Sequence, residues 1–280
     1  MFNVSAIITT FKRNKEFSKA LNSVYLQTYK PQEIIIVNND NKFFYNIKNN
    51  KKKITIVNCI KNFNSANGRN LGASLAKGNF LAFLDDDDLW DKNYLKDAYT
   101  IYKNVKAPVI ISDIYNFNHK DKIFRSMNKI KKLNIQDCFI SNPGFIGSNI
   151  IIQKKIFADL DGFDNNLIPA EDRGLLVNII LKKTKISYSP GKIYYKYSKK
   201  RLNLSNNFFF ISVGHRNFLY KYKNYITFAQ KNYILFKVNI AKFKTTYGIT
   251  KIIYLIYSIF FLIIFKILNK KIFFRVSKNS

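Results

Sequence analysis

Along the first 113 residues, short apolar runs rich in β-branched residues alternate with stretches whose apolar positions recur every three or four residues. The runs at residues 4–9, 33–38, 54–59, 79–84 and 109–113 read as strands, and their spacing is that of a parallel sheet with helical crossovers. Between the first two, residues 15–27 place Phe17, Ala20, Leu21 and Val24 on one helical face, with Pro31 beyond the helix end. A second helix is expected over residues 70–77, stopping at Gly78. Residues 43–53, rich in Asn and Lys, read as a solvated loop. From Phe145 a strand runs to residue 152. A short helix near Phe157, a turn at Asp161-Gly162-Phe163-Asp164 and a helix beginning near Glu171 follow. Pro190-Gly191 marks a turn into a strand at 193–197. After Leu204 the pattern changes to long aromatic and aliphatic runs studded with lysine, which places a soft boundary there. The sequence contains neither an internal repeat nor a Pro- or Ser-rich linker.

Composition narrows the class. With 280 residues, 47% of them hydrophobic and 16% aromatic, the chain can bury a full core, which excludes a disordered tail or a small disulfide scaffold. Cys59 and Cys138 lie at no paired metal-site spacing, and the N-terminus lacks a signal-like segment, so a reducing, cytosolic location is expected. Heavy use of Lys, Asn, Ile, Phe and Tyr matches the bias of an AT-rich bacterial genome, which accounts for part of the lysine excess. The net charge of +30 is nonetheless segregated. All 17 acidic residues lie at or before Asp172, whereas residues 173–280 hold 22 of the 47 lysines and arginines and no carboxylate. The first part can hold cations through clustered aspartates; the second attracts phosphates, anionic lipid or nucleic acid.

The most informative site is Phe83-Leu84-Asp85-Asp86-Asp87-Asp88, an apolar strand ending in four carboxylates. Like charges this close need a cation or strong solvation to offset them. Ligands of open α/β sheets bind beyond the carboxyl ends of strands, and Mg²⁺ takes one or two carboxylates together with water and substrate phosphates. The other reading is a solvated acidic turn capping a helix that begins near Asp91. One short helix upstream, Asn67-Gly68-Arg69-Asn70-Leu71-Gly72 supplies backbone amides at a helix N-terminus and a guanidinium suited to diphosphate, or is an ordinary helix entry. An anion site and a cation site therefore lie close in sequence.

These motifs resemble glycosyltransferase family 2. Residues 4–13 resemble the family's opening strand and loop, and Glu33 to Asn39 its second strand with a base-contacting end. Gly68 to Gly78 resembles its Arg-Asn-x-Gly helix and Asp85 to Asp88 its DxD metal motif. Asp161-Gly162-Phe163-Asp164 resembles its Gly-Gly-Phe-Asp turn, and Glu171-Asp172 the acidic pair that holds the catalytic base. The resemblance implies a GT-A fold, a Rossmann-like mixed α/β sheet flanked by helices. Residues 1–204 would be catalytic, 1–113 binding the nucleotide sugar and 114–204 the acceptor, with a basic helical extension over 205–280. It further implies an inverting, metal-dependent hexosyl- or N-acetylhexosaminyltransferase of bacterial surface-polysaccharide or lipooligosaccharide type, using Mn²⁺ or Mg²⁺. Thr10 and Asn39 would contact the nucleobase and Arg69 the base or diphosphate. Asp85, with Asp86 beside it, would contact the ribose or donor sugar, Asp87 would hold the metal, and Asp172 would be the general base. Thr9 stands where the family often has Pro, and Asn39 where it often has Asp. An Asn carbonyl still accepts a hydrogen bond from a uracil N–H, so a UDP-sugar is the first choice of donor and a dTDP-sugar the second.

Residues 252–265 are uncharged, bracketed by Lys251 and Lys266 and followed by Lys270, Lys271 and Arg275. A spanning helix needs about 20 apolar residues, so a helix lying in the interface of an anionic membrane fits better; packing on the catalytic domain is the alternative. The expected acceptor is a glycan or lipid-linked saccharide, and the expected location the inner face of the cytoplasmic membrane. A rival reading, nucleic-acid binding by the basic half, has no recognised binding motif behind it. His119 and His215 are isolated, Trp90 reads as a packing residue beside the acidic run, and Lys199-Lys200-Arg201 as a basic turn.

Overall fold

The computed structural model describes residues 1–40, 54–59, 64–116, 133–195 and 207–268. The expected loop at 43–53, His119, the Lys199-Lys200-Arg201 turn and the basic residues after 268 lie outside them. The described chain divides into two compact units. One comprises residues 1–133, 143–165 and 175–199; the other comprises 134–142, 166–174 and 200–280.

The first unit is built on an eight-stranded mixed sheet in the order β3-β2-β1-β4-β7-β6-β8-β5. Strands β1 (Val4–Thr10), β2 (Glu33–Asn38), β3 (Ile54–Asn58) and β4 (Phe80–Asp85) run parallel. The central strands β1 and β2 are buried along their whole length, which is why they read as unbroken apolar runs. Helix α1 (Asn14–Tyr25) buries Phe17, Ala20, Leu21 and Val24, the face expected from their spacing. Helix α2 (Ser65–Leu75) starts five residues before the expected position, because Asn64 caps it by accepting a hydrogen bond from the Asn67 amide at 2.8 Å. The two-residue strand β5 (Leu89–Trp90) and helix α3 (Tyr94–Val105) follow β4.

The second half of the sheet departs from the expected pattern in two places. The strand expected over 145–152 starts only at Ile150 (β7, Ile150–Gln153, antiparallel to β4 and to β6, Val109–Asn116), since Gly147–Asn149 form a 3₁₀ turn. Strand β8 (Ile186–Tyr195) begins before Pro190-Gly191 instead of after it. Its register with β6 jumps from Ser112↔Ser189 to Asp113↔Lys192, so the Pro-Gly pair is a bulge inside the strand. A bulge tolerates Pro, which has no N–H to give to the ladder. Gly191 is needed there because a Cβ would crowd the Tyr94 backbone.

Helices α4 (Ile135–Ile140), α7 (Phe208–Lys221), α8 (Phe228–Phe243) and α9 (Gly248–Leu268) belong to the second unit; α5 (Lys154–Asp159) belongs to the first, and α6 (Glu171–Leu181) begins in the second. That unit is not purely C-terminal. Segments 134–142 and 166–174 join it because its helices satisfy their backbone: Gln230 donates to Gln136 O at 2.8 Å, Asn217 to Asn166 O at 2.8 Å and the Tyr222 hydroxyl to Gly174 O at 3.0 Å. Helices α8 and α9 form an antiparallel hairpin, with the Tyr233 and Phe265 rings tilted against each other at one end and Lys251 over Phe243 at the other.

Buried Glu33 ties the sheet's first crossover to its fourth strand. Its Oε1 accepts from the Ser5 hydroxyl at 2.6 Å and from the amides of Lys77 and Gly78, where α2 turns into β4. Glu33→Ala leaves those donors unpartnered and is expected to destabilise the fold by about 1–3 kcal/mol. Urea unfolding checks this as a lower midpoint with an unchanged slope.

Candidate functional site

The site forms where the parallel strands end. Register brings Thr10 beside Asn38 and Thr9 beside Asp85, so β1, β2 and β4 deliver their last residues to one edge. The Asn39 amide donates to Thr10 O at 2.9 Å, which holds the end of β2 against the end of β1. The buried Asn39 side chain then lies on α2 at Gly68, where a Cβ would sit 2.6 Å from Asn39 Oδ1. Its carboxamide oxygen is buried with no hydrogen-bond partner among the described residues. Such an acceptor is costly unless a ligand donor meets it.

The four aspartates do not act as one cluster. Because successive residues at the strand end face different ways, Asp86 and Asp88 turn into the protein. Asp86 accepts from the Thr10 hydroxyl and the Phe11 amide, each at 3.0 Å, and from Arg13 at 2.9 Å. Burial pushes its carboxyl up to about 6 despite the opposing pull of Arg13 and those hydrogen bonds. Asp88 accepts from the Ser148 hydroxyl at 2.5 Å, while Ser148 Oγ in turn accepts the Asp85 amide at 3.1 Å. Asp85 and Asp87 are left at the site. The Asp85 carboxylate, 32% exposed, is held by Nη2 of buried Arg69 at 2.7 and 2.8 Å to its two oxygens. Asp87 pairs with Arg13 at 2.6 Å.

Arg13 is the residue that sequence reasoning passed over. Lys12 adopts a left-handed backbone (φ 57°), which turns the chain after β1 and sends Arg13 back to the acidic run. Burial works against its charge, but Asp87 and Asp86 more than offset this and raise its pKa above the ordinary arginine value. Position alone gave no signal beyond its place in the loop after β1. Two glycines and one turn complete the frame. A Cβ at Gly147 would meet Arg69 Cζ at 2.7 Å, so that glycine lets the guanidinium lie flat. Asn70 exchanges hydrogen bonds with Phe163 (2.8 and 2.9 Å), fastening the 161–164 turn to α2, and Arg69 lies over the Phe163 ring at 5.1 Å. At Gly162 (φ 64°) a Cβ would collide with Asn70 Oδ1.

Thr10, Asn39, Arg69, Asp85, Asp86 and Asp87 thus come together in the first unit, with Thr10 and Asp86 facing each other inward. Asp172 lies in the second unit, half-buried in the first turn of α6, whereas its neighbour Glu171 is buried. Trp90 is buried, stacks on Tyr94 at 4.7 Å and donates to Ser148 O at 3.1 Å, a packing role. His215 is bonded through Nδ1 to Ile211 O, and burial pushes its imidazole down to about 3.

No group of three or more His, Cys, Asp or Glu side chains able to cage a metal occurs among the described residues. The donor set does fit a hard divalent ion shared with a ligand, which needs only one or two carboxylates from the protein. Asp85 and Asp87 would supply these, and the Arg13 guanidinium stands against the acidic run as its cation.

Known proteins share this architecture and sequence. An uncharacterised glycosyltransferase of Rickettsia felis is 28% identical over 216 residues, covering 74% of this chain and 34% of that protein, so the match spans about a third of the relative's own length. The Escherichia coli UDP-Glc:alpha-D-GlcNAc-diphosphoundecaprenol beta-1,3-glucosyltransferase WfgD is 24% identical over 211 residues, covering 74% of this chain and 81% of WfgD. The structure of S. aureus TarS (residues 1–349) in complex with UDP-GlcNAc superposes with a TM-score of 0.61 at 20% identity, covering 87% of this chain and 73% of that one, and shows the same GT-A fold. With residues 5–161, more than half of its length, matching the model described as glycosyl transferase family 2, the chain belongs to glycosyl transferase family 2.

Proposed function

We propose that the protein transfers a hexosyl or N-acetylhexosaminyl group from a nucleoside diphosphate sugar, UDP-linked before dTDP-linked, to a hydroxyl of a glycan or lipid-linked saccharide, with inversion. The observation that carries this reading is the grouping of Asn39, Arg69, Asp85 and Asp87 at the ends of parallel strands. The buried Asn39 carbonyl is suited to accept from a pyrimidine N–H, and Arg69 positions Asp85 toward the ribose or sugar. A Mn²⁺ or Mg²⁺ ion held by Asp87, and by Asp85 if a second ligand is taken, would stabilise the charge that develops on the departing diphosphate. Arg13, which also pairs with Asp86, would give up Asp87 to such an ion. TarS, solved with UDP-GlcNAc, and WfgD, named for a UDP-Glc donor and a diphosphoundecaprenol-linked acceptor, support the donor and acceptor classes.

Asp172 is the proposed general base. It is the last carboxylate of the chain and, unlike Glu171, is open enough to meet an acceptor hydroxyl. Attack by the activated hydroxyl opposite the leaving group inverts the anomeric carbon without a covalent intermediate.

Helix α9 is the proposed membrane contact, on the cytoplasmic face. Its 21 residues are long and apolar enough to cross a bilayer, longer than the uncharged run alone suggested, yet only 11% of the apolar window is buried. One stripe, with Ser258 and Phe265, packs on α8. That partner carries Lys231 and Lys242, which do not belong in hydrocarbon. A helix strapped to so basic a neighbour lies in the interface, with the lysines toward anionic headgroups. The exposed Ile and Phe side chains argue against nucleic acid as the partner of this surface.

Three outcomes are expected. Asp87→Ala abolishes the Mn²⁺-dependent tightening of UDP binding measured by calorimetry; unchanged metal dependence would remove the central support for the reading. Asp172→Asn leaves UDP and Mn²⁺ affinity nearly unchanged but lowers transfer at least about 100-fold in a radiolabelled-sugar assay. If Asp172 only caps the helix, Asn serves almost as well and transfer persists. Replacing the exposed Ile252, Ile256 and Phe260 together by Asp abolishes sedimentation with phosphatidylglycerol vesicles while donor hydrolysis continues; binding that survives the triple change places the membrane contact elsewhere.

A further inference from the structure

The second unit contains a buried cation whose chemistry the donor site does not use. Arg173, the third residue of α6, is only 4% exposed, and its guanidinium lies 3.8 Å from the centre of the Phe218 ring. Its Nε and Nη2 are buried with no hydrogen-bond partner among the described residues, and it makes no ion pair there. The side chains that favour its charge are Cys138, Tyr222 and Tyr233, none of them a carboxylate. Burying a guanidinium without acceptors or an anion is unfavourable.

A charged neighbour makes this worse. Lys237 of α8 points its ammonium at Ile140 O (2.5 Å) and lies over the Tyr233 ring at 4.8 Å. His215 of α7 completes the group. Burial first, and the Arg173 charge second, push Lys237 down to about 8 and His215 down to about 3. Three basic side chains from three helices therefore converge, on a chain that has no carboxylate after Asp172. A planar fork beside a compact ammonium matches an anion with several oxygens and more than one charge, which is the chemistry of phosphate and diphosphate. A single carboxylate would leave one cation unpaired.

We propose that Arg173 and Lys237, with His215 beside them, bind the phosphate or diphosphate of the acceptor, so that the acceptor is a phosphate-bearing saccharide recognised by the second unit. This rests on the glycosyltransferase reading above, but the site itself does not. Arg173 immediately follows the proposed base Asp172 on α6, so one helix start would hold the acceptor's anion and meet its hydroxyl.

The test uses the full chain with EDTA present, which keeps metal-bridged binding at the donor site out of the measurement. Calorimetry with inorganic pyrophosphate is expected to show one site that Lys237→Gln weakens at least about tenfold and Lys237→Arg retains, with unfolding midpoint and UDP affinity unchanged in both variants. Arg173→Gln is expected to lose the site too; should it fail to fold, the Lys237 pair carries the result. A saccharide joined through diphosphate to a short alkyl chain is expected to bind at least about tenfold tighter than the same alkyl glycoside without diphosphate, with the preference lost in Lys237→Gln. Pyrophosphate binding that ignores Lys237, or no binding at all, overturns the site. Pyrophosphate binding that depends on Lys237 without any preference between the glycosides keeps a free-anion site and overturns the acceptor assignment. Sugar transfer by the wild type, measured separately, tells failure of this site from failure of the glycosyltransferase reading.

Discussion

Four consecutive carboxylates at the end of a strand are unstable unless the surrounding fold separates and neutralises them, and the first unit is arranged to do this. Asp86 and Asp88 are taken inward, one to Thr10, Phe11 and Arg13, the other to Ser148. Asp85 is fixed by Arg69 and Asp87 by Arg13. The partners come from separate elements: the end of β1 and the loop after it, helix α2 and the turn before β7. The strand order that brings β1, β2 and β4 side by side is therefore also what makes the acidic run tolerable. It leaves two oxygen-donor groups, Asp85 and Asp87, on the open side.

Small residues make the close approaches possible. Gly68 admits the Asn39 carboxamide onto α2, and Gly147 admits the Arg69 guanidinium. A methyl group at either would displace a polar side chain from its position. The site is thus specified as much by what Gly68 and Gly147 lack as by the charges they admit.

The chain after Asp172 solves a different problem, that of holding positive charge with no carboxylate of its own. Aromatic rings take the place of counter-ions along it: Phe218 under Arg173, Tyr233 beside Lys237, Tyr254 under Lys242 and Phe208 under Lys244. Ring quadrupoles attract cations while costing little in an apolar helical bundle. This lets α8 be basic and still pack on the apolar α9.

Much of this was legible in the chain itself. Strand positions, the helical face of α1, the acidic run at a strand's carboxyl end and the segregation of charge at Asp172 all follow from local patterning, because burial on a regular element imposes a period on neighbouring residues. The early start of α2 was present in the capping Asn64 and was missed only because Asn and Gly lower helix propensity there. What local pattern could not decide was which aspartates face inward, that Arg13 rather than a more distant base holds Asp87, that Pro190-Gly191 is a bulge within a strand, and that segments 134–142 and 166–174 belong with the C-terminal helices. Each of these depends on a partner far away in sequence. A periodic pattern records that a side chain is buried, but only the tertiary structure chooses what it is buried against.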